Sequence, residues 1–599
     1  MEVFVSGAVS RVRGPLVAVA GAALVAPLVL AGPAHAEADP YTVTPLTFTV
    51  EAGDRTCTVD ADLYRPAGTD ADRPAPAVLA TNGFGGSKSD GTTDVIGEAF
   101  AERGYVGLVY SGLGFGKSGC LITLDDPGID GRAATELLDF LGGVRAADDG
   151  TKADYVTQDA DGDPRVGMIG GSYGGAIQLA TAAVDPRVDA LVPLITWNDL
   201  GYALAPNNTG ARTSGTPGTP GTPGVFKWQW TNGFYLIGEG QPLLNPSLDP
   251  SRINRLDCLH FATRACETIR LLNSGRYPAD KAEEMLAYAR SVSPVSYLDR
   301  VKAPTLIVQG QADSLFNLNE ATATYRTLKA QGTETKMIWQ SWGHSGGLVP
   351  GELDLSQGDL ETSHVGQRVL AWFDRYLHKK TDTDTGPAFS YYRAWRSGYG
   401  SAAGVPALSQ SLYLSGDGKL VDNRAKVARG SRRYTNQLVP TSHSESSVAP
   451  LIGLPDPEPY DTRGTYLGWR SEPLTAPLDV VGAPKATLKV LSPKAERVQN
   501  SGDASDKLVL FAKVYDVAPD GSRTLVNRLV SPVRVPDVTR PFTVELPGIV
   551  HRYGTGHRLE FVIAASDTAY FGNRGIKPVT VVHAPEDTGV LELPVVPSG

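Results

Sequence analysis

Cysteine is scarce in this chain of 599 residues: there are four, Cys57, Cys120, Cys258 and Cys266. They are scattered, with no tight Cys/His group of the spacing a structural zinc site requires, so no metal centre is expected. Beyond the N-terminal stretch no apolar run is long enough to cross a bilayer. No segment carries a stripe of Lys or Arg, and the formal charge of −10 has both signs interspersed, which argues against nucleic acid or another polyanion as partner. Helical periodicity is scarce after about Thr381. Nothing in the pattern asks for an organic cofactor.

What is present begins with an export signature. Arg11 and Arg13 precede an apolar stretch, Leu16 to Leu30, and Ala34-His35-Ala36 places small residues around a cleavage point before Glu37. Residues 1–36 are therefore expected to be a cleaved signal peptide, giving a secreted protein with no membrane segment after cleavage. An even cysteine count in an exported chain suits disulfides. Cys57 with Cys120 and Cys258 with Cys266 is the expected pairing, although spacing alone leaves the connectivity, and buried free thiols, open.

The length predicts more than one core. From Tyr41 to about Leu200, short apolar runs alternate with helical segments: Val59–Tyr64, Ala77–Thr81, a helix over 93–103, Val106–Tyr110, a helix over 132–144, then Arg165–Ile169. That rhythm implies a mostly parallel sheet covered on both faces. It returns at Thr305–Gln309 and Lys336–Trp339. The interruption, about 200–297, is helix-prone and contains the low-complexity tract Thr213–Gly224, which reads as a surface loop in a helical cap. After a helix over 366–377 the texture changes to short alternating runs such as Leu508–Tyr515, Thr524–Val530 and Arg558–Ile563, separated by turn signals. The expected fold is an α/β-hydrolase core over 37–385 with a helical cap insertion, followed over 386–599 by an all-β jelly-roll sandwich.

Gly170-Gly-Ser-Tyr-Gly-Gly175 follows an apolar strand and opens a helix-prone segment, Ala176–Ala183. This is the context in which Gly-x-Ser-x-Gly means a nucleophile elbow: the chain turns sharply, and glycines flank the serine because side chains there would collide. Gly343-His-Ser-Gly-Gly347 fits the same pattern, but no helix opens on it, so its serine is a decoy while His344 is the residue of interest. A hydrolase of this kind places acid and base on loops after later strands, in the order Ser, acid, His. Asp313 follows Thr305–Gln309, and His344 follows the next apolar run. Asp199, Asp257 and Asp299 compete as the acid and His364 and His378 as the base, all less well placed. The backbone amide of Tyr173 is the first oxyanion donor expected, and a second is expected from Asn82-Gly-Phe-Gly-Gly-Ser87, at Phe84 or Gly85. Trp197 and Asn198 are candidates to line the acyl pocket. Tyr110–Gly119 lacks the spacing of a phosphate loop and reads as a tight loop beside the site.

With these motifs in place, the chain from about Phe48 to Val596 resembles the secreted relatives of X-prolyl dipeptidyl aminopeptidase and cocaine esterase. The resemblance rests on Gly170–Gly175, Pro304–Phe316, Gly343–Gly347 and the β-rich tail. It implies Ser172 as nucleophile, Asp313 as acid and His344 as base. Two departures stand out. Phe84 occupies the place where the family often has a tyrosine hydroxyl in the oxyanion hole, and Ser111-Gly-Leu-Gly114 replaces an Asp-x-Arg-Gly turn.

The function expected is an acyl-enzyme serine hydrolase acting on Xaa-Pro peptides, with a carboxylesterase of small esters as the alternative on the same machinery. A binding protein for carbohydrate or cell wall with a vestigial hydrolase domain is the alternative of another class. A transferase that passes the acyl group to an alcohol or amine needs a drier site than sequence reveals.

Overall fold

The computed structural model describes residues 39–209, 223–244, 249–254, 258–436, 439–446 and 454–598. The expected signal peptide and nearly all of the Thr-Pro-Gly tract lie outside the described residues.

The first structural feature was not expected from the sequence. Strand β1 (Tyr41–Ala52) pairs antiparallel with β2 (Arg55–Pro66) around Gly53, whose φ is +68°. Leu46, Phe48, Val50 and Ala52 are buried on one face while their neighbours are exposed. Pro45 is tolerated because β1 is the edge of the sheet.

Then strand and helix alternate. They run β3 (Ala77–Thr81), α1 (Thr93–Ala101), β4 (Val106–Tyr110), α2 (Asp130–Leu141), a small separate hairpin of β5 (Gln158–Ala160) and β6 (Asp163–Pro164), β7 (Val166–Gly171), α3 (Tyr173–Val184) and β8 (Val188–Leu194). Among the described residues, four α-helices of five to seventeen residues intervene: α4 (Leu200–Leu204), α5 (Trp228–Leu244), α6 (Thr263–Ser274) and α7 (Ala279–Ser291). The sheet resumes with β9 (Thr305–Gly310), α8 (Leu318–Ala330), β10 (Thr335–Gln340), α9 (His364–Tyr376), β11 (Phe389–Arg393) and β12 (Gly398–Ala402). The strand order is β1-β2-β4-β3-β7-β8-β9-β10-β11-β12. From β4 to β11 every neighbour is parallel. β9 lies directly beside β8, so the helical insertion leaves and re-enters the sheet between adjacent strands.

β3 and β4 are buried at every position, as strands covered on both faces must be. α1 and α9 cover one face, with Phe100, Trp372 and Phe373 in the core. α2, α3 and α8 cover the other, with Leu137, Leu179 and Leu328. The core sheet runs on to Ala402, past the boundary expected at 385, because β11 adds to β10 in parallel.

The remainder is mostly β, and its sheets pair antiparallel. One five-stranded sheet is built around 410–414, 590–593 and 485–488, and another around 466–470, 558–564 and 509–517. They share a core that includes Trp469, Leu510, Val544 and Phe561. The strand expected over Thr524–Val530 is divided: Asn527 and Arg528 take φ of +50° and +53°, separating strands Arg523–Leu525 and Ser531–Arg534. This part touches the hydrolase core where Gly548 N–H donates to Asn319 Oδ1 at 2.9 Å. Among the described residues no helix is long and apolar enough to cross a membrane.

Candidate active site

Ser172 stands between β7 and α3 with φ 56° and ψ −118°, a strained conformation for a residue with a side chain. The strain is imposed by close packing. A Cβ on Gly174 would fall 2.3 Å from the Thr81 carbonyl, and one on Gly170 would fall 2.7 Å from the Gly174 carbonyl. The elbow therefore needs glycine on both sides, and the serine hydroxyl is lifted off the sheet.

His344 Nε2 lies 2.9 Å from Ser172 Oγ, and His344 Nδ1 lies 2.7 Å from Asp313 Oδ2. Asp313 is fully buried, and its Oδ1 accepts the amides of Leu315 at 3.0 Å and Phe316 at 2.8 Å. Both loops need small residues to meet. A Cβ on Gly343 would lie 2.6 Å from Asp313 Cβ, and Ser345 N–H donates to the Ala312 carbonyl at 3.1 Å. Edge-on contacts from Phe316 and Trp230, with ring centroids 5.2 and 6.3 Å away, hold the imidazole.

The described competitors stand away from the triad. Asp199 caps α4 and faces Arg290 at 3.8 Å. Asp299 sits in an exposed turn, and Asp257 lies outside the described residues. His364 stacks on Tyr399, and His378 packs on Tyr105.

The loop after β3 lies against the elbow, where Thr81 and Asn82 carbonyls approach Gly174. Tyr173 opens α3, so its amide has no intrahelical acceptor. Phe84 presents its ring to Phe115, Tyr173 and Phe234, at 5.0, 5.6 and 5.3 Å. Its side chain is a wall, and only its backbone or that of Gly85, at φ +87°, has an N–H to offer. The Tyr110–Gly119 loop stands beside it, tied by Gly112 N–H to Asn82 Oδ1 at 2.9 Å.

Behind the aromatic wall lies a cavity of about 110 Å³. Its lining comes from α4, α5, α6 and α7 together with Phe84, Leu124 and Phe261. It includes Leu204, Phe234, Ile269, Met285 and Ala289 and, among the described residues, no Asp, Glu, Lys or Arg. Trp197 and Asn198, expected to line the acyl pocket, do not line this cavity. Trp197 packs on Tyr173 and Phe316. Asn198 is buried, its amide N–H donating to Glu320 Oε2 at 2.6 Å and its side chain to Thr324 Oγ1 at 3.1 Å. Strand β8 ends before both, and the chain first reaches the cavity lining at Leu200, where α4 begins.

The structure joins Cys57 to Cys120 and Cys258 to Cys266. The first ties β2 to the end of the Tyr110–Gly119 loop. The second ties the first turn of α6 to the segment leading to Phe261.

Beside the elbow, Asp125 and Asp130 line a small pocket with Tyr110 and Tyr173. Asp125 N–H donates to Tyr173 Oη at 3.0 Å, while neither carboxyl oxygen of Asp125 has a hydrogen-bond partner. Burial, reinforced by Asp130, pushes the Asp125 carboxyl well above the ordinary range, and burial pushes Asp130 up to about 7.

The sequence predicts a helical cap but does not single out Trp230 or the cavity that the cap helices line. The aromatic run Phe226-Lys-Trp-Gln-Trp230 was the available signal: Phe226 and Trp230 are buried, while Trp228 is exposed.

Comparison with known proteins agrees with this architecture. Residues 54–346 match the family described as X-Pro dipeptidyl-peptidase (S15 family), and residues 317–586 match the X-Pro dipeptidyl-peptidase C-terminal non-catalytic domain. Among solved structures, an α-amino acid ester hydrolase is similar with a TM-score of 0.63 and 16% identity, over 95% of this chain and 99% of that one. An aminopeptidase from a marine sediment archaeon, a Thaumarchaeota archaeon, gives 0.62 and 15%, over 96% and 99%. A CocE/NonD family hydrolase from Staphylococcus aureus gives 0.57 and 14%, over 92% and 97%. At these identities the likeness carries the fold. No curated protein matches the chain. An α/β-hydrolase core followed by the mostly-β C-terminal domain of the same family leaves one conclusion: the chain is a serine hydrolase belonging to the X-Pro dipeptidyl-peptidase (S15) family.

Proposed function

We propose that this serine hydrolase is an acyl esterase, with Ser172 as nucleophile, His344 as general base and acid, and Asp313 as the residue that orients the imidazole. A serine hydroxyl is nearly inert at neutral pH, so His344 Nε2 takes its proton during attack and returns it to the leaving alcohol. Asp313 holds the tautomer with the proton on Nδ1 and stabilises the imidazolium that forms. The Tyr173 amide and a backbone N–H of Phe84 or Gly85 receive the charge developing on the carbonyl oxygen. Water then releases the acyl group by the same steps in reverse. The export signature supports a secreted enzyme, and the chemistry needs no cofactor.

The observation that carries the ester reading is the cavity. Recognition of a dipeptide's free amine calls for a carboxylate or convergent carbonyls, and the lining has neither acid nor base among the described residues. An apolar acyl group matches it. The family match favours the second reading, cleavage after Xaa-Pro, which uses the same triad. A transferase or a vestigial domain that only binds polysaccharide has no specific observation behind it, and the hydrogen-bonded Ser172, His344 and Asp313 speak against the latter.

The test is kcat/KM on p-nitrophenyl butyrate and on Ala-Pro-p-nitroanilide, with Ser172→Ala as the blank. Ester turnover without anilide turnover is expected. Strong anilide turnover would replace the ester reading with the dipeptidyl-peptidase one.

A further inference from the structure

Asp313 and His344 sit on separate loops, and the residues that follow them are bonded to each other. Ser314 N–H donates to Ser345 Oγ at 3.0 Å, and the two hydroxyl oxygens are 2.5 Å apart. Ser314 Oγ donates to the Ser446 carbonyl at 2.9 Å. With that proton placed, the one between the hydroxyls belongs to Ser345, which donates to Ser314. Trp230 Nε1 closes the arrangement by donating to Ser314 Oγ at 3.2 Å and to the Ser446 carbonyl at 3.1 Å.

The bridge has an ionic anchor. Lys227 Nζ donates to the Ser314 carbonyl and lies 3.1 Å from Glu445 Oε1, and the Tyr570 hydroxyl donates to Glu445 Oε2. Lys227, Trp230, Ser314, Glu445, Ser446 and Tyr570 are all buried. Glu445, Ser446 and Tyr570 come from the mostly-β part of the chain, while Lys227 and Trp230 stand at the start of α5. Packed apolar side chains would fill such a space at least as stably, because burying an ion pair carries a large desolvation penalty. What the polar arrangement adds is direction: each bond admits only one relative placement of the two loops.

We propose that Ser345 and Ser314 are positioning residues that set the spacing between the base and the acid, and that Lys227 and the Glu445–Ser446 turn anchor them from the cap and the mostly-β domain. The inference rests on the assignment of Ser172, His344 and Asp313. It also gives the mostly-β domain a part in turnover, since that domain supplies the carbonyl on which the hydroxyl chain ends. Neither serine touches the substrate, so the effect is on geometry and reads out in kcat.

The test compares Ser345→Ala, Ser314→Ala, the double variant and Ser345→Thr with the full-length enzyme, using p-nitrophenyl butyrate turnover, the rate of fluorophosphonate labelling and the melting temperature. Each alanine variant is expected to lower kcat about tenfold with KM within about twofold, since small misplacements of a catalytic pair have effects of that order or larger. Labelling should slow in parallel. The double variant should be no worse than the weaker single one, because both break the same bridge. Ser345→Thr, which keeps the hydroxyl, should recover most of the rate. Alanine variants with wild-type kcat, or a loss that tracks only a lower melting temperature and is not recovered by threonine, would overturn the inference while leaving the triad intact. Turnover that survives Ser172→Ala would overturn the nucleophile assignment, and this inference with it.

Discussion

Asp313 divides its two oxygens between different tasks: Oδ2 faces His344 Nδ1 at 2.7 Å, and Oδ1 is held by the Leu315 and Phe316 amides. The carboxyl group is thus locked in plane before it meets the imidazole. Asp313→Asn keeps the shape but presents an amide that competes for the wrong tautomer. Its kcat on an ester is expected to fall by roughly three to four orders of magnitude, with KM changed only a few-fold. Steady-state kinetics of the purified variant check this, with circular dichroism to show that the fold persists.

The cap cavity sets acyl length if the ester reading holds. Ala289 is buried on α7 and lines the cavity. Ala289→Phe should leave p-nitrophenyl acetate turnover within about twofold and reduce kcat/KM for longer acyl chains by about tenfold or more, one to three kilocalories being the usual worth of a misfit in an apolar pocket. A chain-length series from acetate to octanoate gives the result directly. Equal losses along the series would remove the cavity from the acyl site.

Phe84→Tyr restores a hydroxyl at the place where the resemblance leads one to expect a donor. Here the half-buried ring packs against Phe115, Tyr173, Phe234 and Phe261. A hydroxyl placed among rings without an acceptor gives up hydrogen bonds it makes in water. The expected outcome is a lower melting temperature and no gain in kcat. An increase in kcat would mean that the ring edge reaches the oxyanion after all.

Asp130 makes stability depend on pH. Its carboxyl is pushed up to about 7 by burial, whereas in the unfolded chain it ionises near 4. Between those values the unfolded state is ionised and the folded state still holds the proton, so its contribution is complete below about 4 and is lost as pH rises to about 7. Asp125 beside it is shifted in the same direction, and Asp126 adds repulsion. Asp130→Asn should therefore flatten, without abolishing, the fall in melting temperature between pH 4 and 7. Thermal scans across that range decide it.

The two disulfides differ in what they constrain. Cys57–Cys120 spans 63 residues and Cys258–Cys266 spans 8. Restriction of the unfolded chain predicts about 4 kcal/mol for the first and about 2.5 kcal/mol for the second. Removing Cys57 and Cys120 together should lower the denaturation midpoint more than removing the other pair. The reverse order would place the stabilisation in the cap's native contacts.

Local pattern was enough to find the elbow, although only Gly170 answers a collision within a few residues of chain, while Gly174 makes room for Thr81 on β3. The same holds for the buried strands, whose continuous apolar runs admit little else. It was not enough for β1, since an edge strand with one wet face and a proline looks like a loop until its partner is known. The limit of the core sheet at Ala402 was likewise hidden, because whether a short alternating strand joins a parallel sheet or a separate one depends on what lies beside it. The order Ser172, Asp313, His344 is written in the sequence. The absence of Trp197 and Asn198 from the cavity lining, the packing of Phe84 against other rings, and the bond between Ser314 and Ser345 across loops 31 residues apart belong to the tertiary structure. Those contacts arise between segments distant in sequence, and no local periodicity records which distant surface a side chain will meet.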